Sequence, residues 1–348
     1  MNRIYKESGM DGAQIWAHLD ALAKPRRSLG KLEELAARLA LIQQTLKPVT
    51  RPRRLVLFAA DHGVVSSGVS AWPSAVTGLM VNAILAGRAS STALATAHHC
   101  DVRLVDAGVA SAAPDNPPSF FRAARVAAGT KDLSTGAAMS VAELDAAWEV
   151  GVSEARRAMA DGNVVLIAGE MGIGNTTPAS CLTVLLADAS VESAVGRGAG
   201  ADDDTLRVKR EVVAAAVTRA SRLAAGADPR AAIAEVSGFE IVAMAGFFAE
   251  GARQGATLLL DGFVATSAAL IAERLAPGTA SCMIAAHLSA EPGHRIALTQ
   301  LGLEPLLDWS MRLGEGTGAL VALPLLDCAA ALLRDVATLS ELGVGRGD

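Results

Sequence analysis

The chain of 348 residues is poor in aromatics (3%) and charged side chains (19%), and it holds only four cysteines. Each scarcity excludes something. An apolar mass of Ala, Leu and Val with few aromatics argues against a β-sandwich and for helices packed on a parallel sheet. With a formal net charge of −5 and no long Lys/Arg run, the chain has no basic stripe for a nucleic-acid groove. Cys100, Cys181, Cys282 and Cys328 lie far apart, without CxxC or Cys/His spacing for zinc. They read as small buried hydrophobes in a reducing cytoplasm. The start, Met1 to Leu19, mixes Arg3, Lys6, Glu7 and Asp11 without an apolar signal core. Unbroken apolar runs are missing too: Asp261 interrupts Ala256 to Ala272, and no segment reads as a membrane span. Hydrophobic residues still make up 51%, enough for a sizeable core rather than general disorder.

Short β-branched runs alternate with long Ala/Leu-rich stretches, which predicts a Rossmann-like α/β fold, a mostly parallel sheet flanked by helices. Strands are expected at Arg54–Ala60, Val102–Asp106, Val164–Ala168, Thr257–Leu260 and Cys282–Ala286. Polar turns follow them: Asp61-His62-Gly63, Ala107-Gly108, Gly169-Glu170, Asp261-Gly262 and His287-Leu288-Ser289. Ligands of open α/β sheets sit outside the carboxyl ends of the strands, so these turns are where chemistry is sought. Residues 10–46 read as two helices joined at Lys24-Pro25-Arg26-Arg27-Ser28-Leu29-Gly30, and the last stretch is helical again. This predicts a small helical domain from residues 1–50 plus about 310–348, around a large domain at 51–309. Ala110–Ser119, with three prolines, reads as a surface loop.

The strongest local signal is Gly169-Glu170-Met171-Gly172-Ile173-Gly174-Asn175-Thr176-Thr177-Pro178, after a strand and at the start of a helix. Thr176 or Thr177 is the expected cap and Pro178 suits the first helical position. Glycines permit close backbone approach, and a helix start offers free N–H groups to an anion, here a phosphate. The P-loop lysine is absent, and Thr177 replaces the third glycine of the dinucleotide fingerprint. Downstream, Gly196-Arg197-Gly198-Ala199-Gly200 and Asp202-Asp203-Asp204 precede Lys209, whose charge suits a phosphate. The aspartates read as helix caps. In Arg312-Leu313-Gly314-Glu315-Gly316-Thr317-Gly318, a carboxylate between glycines is uncrowded and able to take a proton from a bound heterocycle. The bland alternative is a surface turn. Asp61-His62 and the segment His287 to His294 contain metal-ligand residue types, but Pro292-Gly293 breaks the helical spacing a ligand set would need.

In order, these motifs are similar to the nicotinate-nucleotide–dimethylbenzimidazole phosphoribosyltransferase family, nearly end to end. The resemblance runs through Lys24-Pro25, Ser28 to Glu33, Ala60 to Val64, Gly68 to Pro73 with Val76-Thr77, and Gly129-Thr130. It continues through Gly169 to Pro178, Gly238-Phe239-Glu240-Ile241, Leu260 to Phe263, His287 to His294 and Gly314 to Gly318. It implies a homodimer with no cofactor or metal, acting on nicotinate mononucleotide and a benzimidazole-type base. It implies Glu315 as the catalytic residue, with Gly172, Gly174, Asn175, Thr176, Thr177 and Lys209 at the nucleotide phosphate. Gly198 and Ser289 would lie near nicotinate and ribose. Trp72, Leu79, Met80, Met171 and Leu313 would line the base, and Glu170 and Asp261 are further candidates. Arg27, Asp132, Ala137 and Leu79 depart from the usual family residues, and Leu79 bears on which base is preferred. Two rivals are a metal-dependent phosphohydrolase built on Asp61-His62 and a non-catalytic nucleotide-binding protein.

Overall fold

A computed structural model describes residues 10–112, 115–224 and 228–343. Part of the predicted 110–119 loop (113–114) and both extreme ends of the predicted helical domain (1–9 and 344–348) lie outside the described residues. Seven parallel strands form one sheet: β1 Arg53–Ala60, β2 Asp101–Gly108, β3 Phe121–Ala123, β4 Val165–Met171, β5 Thr257–Leu260, β6 Met283–His287 and β7 Pro305–Leu307. Their spatial order is β3-β2-β1-β4-β5-β6-β7. The first six follow the doubly wound dinucleotide-fold order, which reverses direction between β1 and β4 and opens a crevice there. β3 and β7 were not expected from sequence. Three residues are too few to show a period, and Pro305 is tolerated because β7 is an edge.

The central strand shows why the sheet is parallel and sandwiched. Every residue of β1 is buried, and from Leu55 to Ala60 it is one apolar run rather than an alternation. Leu55, Leu57 and Ala59 join one core while Val56, Phe58 and Ala60 join the other, the period of two expected of a strand. On the first face lie Ile15 and Leu19 of the helix Gly12–Ala21, Leu35 and Leu39 of Lys31–Gln43, and Leu320 and Leu323 of Thr317–Asp335. On the other face, Val141–Ala160 and Phe239–Arg253 pack against each other, beside Thr176–Ala187 and Phe263–Leu275.

The chain ends are tied together. The Ala23 amide donates to Ala337 O (2.8 Å) and the Leu339 amide to Ala21 O (2.9 Å). The Lys24–Glu33 ion pair (2.9 Å) and the Leu29 amide on Glu33 (2.9 Å) close the first interhelical turn. Arg27 there has φ +59°, a left-handed geometry that suits the glycine usual in the family. Its guanidinium stacks 3.7 Å from the Trp16 ring centroid. Among the described residues, Thr317–Asp335 is the one helix long and apolar enough to cross a membrane, but most of it is buried within the fold. Of the cysteines, Cys100 and Cys181 are buried as expected, whereas Cys282 is half-buried and Cys328 exposed on an outward helix face.

Candidate active site

The site grows from the carboxyl ends of β1, β4, β5 and β6. β4 runs on through Gly169 and Glu170 to Met171, where the sequence suggests a turn, because Leu57, Phe58 and Ala59 of β1 continue the ladder. The next helix begins at Thr176 with Asn175, rather than either threonine, at its N-cap. Asn175 has helical dihedrals and does not cap with its side chain; instead its amide donates to Glu170 Oε2. Pro178 accordingly falls two residues beyond the helix start. The loop between strand and helix lies on a polar floor. A Cβ on Gly172 would come within 2.6 Å of Ala60 O and 3.0 Å of His62 Nε2, so no side chain fits.

Lys209 reaches this loop from the helix Asp203–Ala224 and is almost fully buried (1% exposed). Its ammonium donates to Thr176 Oγ1 (2.8 Å) and Gly196 O (3.0 Å). Burial lowers its pKa to about 8, partly opposed by the Glu291 carboxylate. Glu291 in turn accepts the Gly198 amide (2.9 Å). Gly198, at φ +54°, approaches Thr176 so closely that a Cβ would sit 2.8 Å from its hydroxyl. Ser289 belongs to the same neighbourhood: its hydroxyl accepts the Glu291 amide (3.3 Å) and its own amide donates to His294 Nδ1 (2.8 Å). Thr266 donates to Gly262 O (2.9 Å), so its oxygen accepts from His294 Nε2 (2.9 Å). This fixes a neutral ring, in line with burial and nearby His287 lowering its pKa to about 3.

The second cluster surrounds Glu315. Gly314, Glu315 and Gly316 are three consecutive left-handed residues, with φ of +88°, +57° and +73°. For a non-glycine residue this costs about 1–2 kcal/mol, and such strain concentrates at functional sites. Asp261, just after β5, holds the frame. Its Oδ2 accepts the Gly316 amide (3.0 Å), and its Oδ1 accepts those of Gly318 (2.7 Å) and Ala319 (3.2 Å). Burial raises the Asp261 pKa, but His287 and these amides outweigh it and the net direction is down. Glu315 itself is buried and accepts the Ser91 hydroxyl (2.9 Å). Its pKa is raised, first by burial, against the opposing Ser91 hydrogen bonds. Glu170 lies alongside: a Cβ on Gly314 would collide with its carboxylate. Burial, then Glu240, Asp261 and Glu315, push Glu170 up to about 8, so it is mostly neutral at pH 7.

Two links join the clusters. Asn175 binds Glu170, and Arg312 Nη1 donates to Gly198 O (2.9 Å). Trp72 donates its indole N–H to Ala199 O (3.2 Å), bringing its segment to the same loop. The Thr77 hydroxyl, two residues before Leu79, accepts the Ile173 amide (3.1 Å). Of the proposed base-lining residues, Met80 and Met171 are half-buried, while Trp72 (50%), Leu79 (65%) and Leu313 (55%) are exposed. Thr177 is buried, its hydroxyl without a hydrogen-bond partner.

Asp61 and His62 do not converge on a common ion. Asp61 Oδ2 accepts the Ala110 amide (2.7 Å), and His62 Nε2 bonds Glu240 Oε1 (2.6 Å) beneath the loop at Gly172. Among the described residues no three His, Cys, Asp or Glu side chains are arranged to hold a metal. A cleft of about 380 Å³ lies at the amino end of the sheet, lined by Arg54, Arg103, Arg122 and Arg157. Its arginines pair with Asp101, Asp161 and Glu154, and it is remote from the strands' carboxyl ends. Sequence reasoning missed Ser91, which sits in an unremarkable Ser/Ala/Thr helix. It gave no role to Glu240, although it stands in a family motif.

A phosphoribosyltransferase family model matches residues 8–344. The nicotinate-nucleotide–dimethylbenzimidazole phosphoribosyltransferase of Thermus thermophilus is 48% identical, covering 96% of this chain and 98% of its own. That of Ralstonia nicotianae is 45% identical over 95% of this chain and 93% of its own. A crystal structure of CobT from Thermus thermophilus superposes with a TM-score of 0.92 at 47% identity, over 97% of this chain and 99% of that one.

Proposed function

The chain belongs to the nicotinate-nucleotide–dimethylbenzimidazole phosphoribosyltransferase family, and from that membership we propose how its residues carry out the transfer. The substrates are nicotinate mononucleotide and 5,6-dimethylbenzimidazole or a related base. The products are nicotinate and α-ribazole 5′-phosphate, the nucleotide unit of cobalamin's lower ligand. The unprotonated imine nitrogen of the base attacks C1′ while the C1′–nicotinate bond breaks. The departing electron pair neutralises the pyridinium nitrogen, so the leaving group comes ready activated. Attack from the opposite face inverts C1′. The proton on the other base nitrogen passes to Glu315.

The observation that carries this reading is the Glu315 carboxylate, buried in a left-handed glycine frame beside a largely neutral Glu170. Burial holds the Glu315 carboxyl above the usual carboxylate range, which makes it a stronger proton acceptor. Asp261 acts as a positioning residue through the amides it holds. The nucleotide phosphate takes the start of the helix Thr176–Ala187, with Lys209 as its counter-charge. Met171, Met80, Leu79, Leu313 and Trp72 form an apolar border for the base.

The homodimer and cytoplasmic location belong to the same proposal. Trp72, Leu79, Trp309 and Leu313 are at least half exposed, which favours a second copy covering this face. Sedimentation at micromolar concentration tests the dimer, a monomer being the contrary result. For the reaction, purified protein is incubated with nicotinate mononucleotide and a benzimidazole. Release of nicotinate that depends on the base, with an α-ribotide product, is expected. Base-independent release of phosphate or nicotinate would point to a hydrolase instead.

A further inference from the structure

The helix Ser90–Ala97 starts without a cap of its own. Ala89 stands at the N-cap position, and no local side chain accepts from the first turn. A helix start buried without an acceptor leaves costly free amides. Here the partner comes from 224 residues further along the chain: the Ser91 hydroxyl donates to Glu315 Oε2 at 2.9 Å, and the Ser91 backbone N–H favours the charged form of the same carboxylate. Ser91 is fully buried (0% exposed) and Glu315 nearly so (1%).

The setting makes this contact consequential. The charged groups facing Glu315 from the neighbouring strands are carboxyls, Asp261 after β5 and Glu170 on β4, with His287 of β6 behind Asp261. Arg312, on the same loop as Glu315, is turned to the Gly198 carbonyl. The first turn of Ser90–Ala97 therefore supplies both the hydrogen-bond donors and the favourable helix end for a negative charge.

We propose that Ser91 is a positioning residue for the transfer reaction, fixing one side of the Glu315 carboxylate and leaving its remaining lone pairs for the N–H of the acceptor base. This rests on Glu315 being the base. An ionised carboxylate has about four acceptor sites, so the Ser91 hydroxyl does not saturate it.

The test is the pH dependence of kcat for wild type, Ser91→Ala, Ser91→Cys and Glu315→Gln. The acceptor base titrates identically in all four, so differences between variants report the protein. Removing a donor to the charged form raises its pKa. The acid limb should move up by about one to two pH units in both Ser91 variants. One unit below the wild-type midpoint the rate should drop about tenfold or more, recovering as pH rises. KM for the nucleotide should stay within about twofold. Cysteine nearly preserves the volume but is a weak donor. A shift in the alanine variant that cysteine abolishes would assign the effect to packing and overturn the proposal. So would an unchanged acid limb in both variants while Glu315→Gln is impaired. A Glu315→Gln enzyme as fast as wild type would instead remove the base on which the proposal rests, and both would fall.

Discussion

Asp261 offers a test of the frame around Glu315 that leaves the carboxylate itself intact. In Asp261→Asn the volume is unchanged, but only one oxygen remains. The wild-type carboxylate serves Gly318 and Ala319 with Oδ1 and Gly316 with Oδ2, at 2.7, 3.2 and 3.0 Å. In either orientation the new NH₂ opposes a backbone N–H. At least one charge-assisted bond is lost, and a buried donor is left facing a donor. Together these cost about 2–4 kcal/mol. The left-handed run from Gly314 to Gly316 then loses its anchor. Glu315 relaxes away from the base, and a displacement of about 1 Å suffices for a loss on the order of 10²-fold in kcat. The Lys209 contacts to Thr176 and Gly196 do not involve Asp261, so nucleotide KM should change little. Denaturant unfolding and steady-state nicotinate release measure the two effects. Unchanged stability together with kcat within twofold of wild type would refute the anchoring role.

Other consequences follow from the same geometry. Lys209→Ala should weaken nucleotide binding by roughly tenfold to a hundredfold, the worth of a charge-assisted hydrogen bond; unchanged affinity in a calorimetric titration would remove Lys209 from the phosphate. Glu170 has its folded pKa raised from 4.5 to about 8, so the folded chain keeps a proton that the unfolded chain releases. Wild-type stability should therefore fall as pH rises from about 5 to 8, by up to about 1.4 kcal/mol per pH unit from this group. Glu170→Gln should flatten that fall, and equal slopes in denaturant titrations would contradict the assignment. The proposed base border of Met171, Leu79 and Leu313 is apolar, with few polar groups that the missing methyls would leave unpaired. Unsubstituted benzimidazole should react within about 1–3 kcal/mol of its dimethyl analogue in competition assays, whereas complete rejection would imply a closed pocket.

Much of this was legible in the sequence because its signals repeat at several levels. The strand runs at Arg54, Val102, Val164 and Thr257 are apolar, bounded by polar turns and separated by helices, so sheet type and strand positions follow from pattern. The glycine frame of Glu315 is readable as an uncrowded carboxylate, and the structure adds that the frame lies at positive φ. What escaped depends on contacts across the chain. Nothing near Ser91 announces a partner 224 residues away. The N-cap went to Asn175 because Glu170 draws its side chain aside, a tertiary effect that local cap preference does not contain. The edge strands β3 and β7 are set by pairing and by the packing of Phe121, Leu306 and Leu307, with no period of their own. His62 resembled a metal ligand in sequence; only the fold brings Glu240 to within 2.6 Å of it.

The central claim is that Glu315 takes the proton of the acceptor base, and Glu315→Gln tests it most directly, since the amide keeps the shape and removes the basicity. Its kcat is measured with benzimidazole and with an N-alkylated analogue that has no proton to give. The wild-type advantage with benzimidazole should be about 10²–10⁴-fold, the usual range for general-base catalysis, with nucleotide binding retained. With the alkylated acceptor that advantage should shrink markedly. A Gln variant as fast as wild type on benzimidazole, or an equal loss with both acceptors, would contradict the assignment.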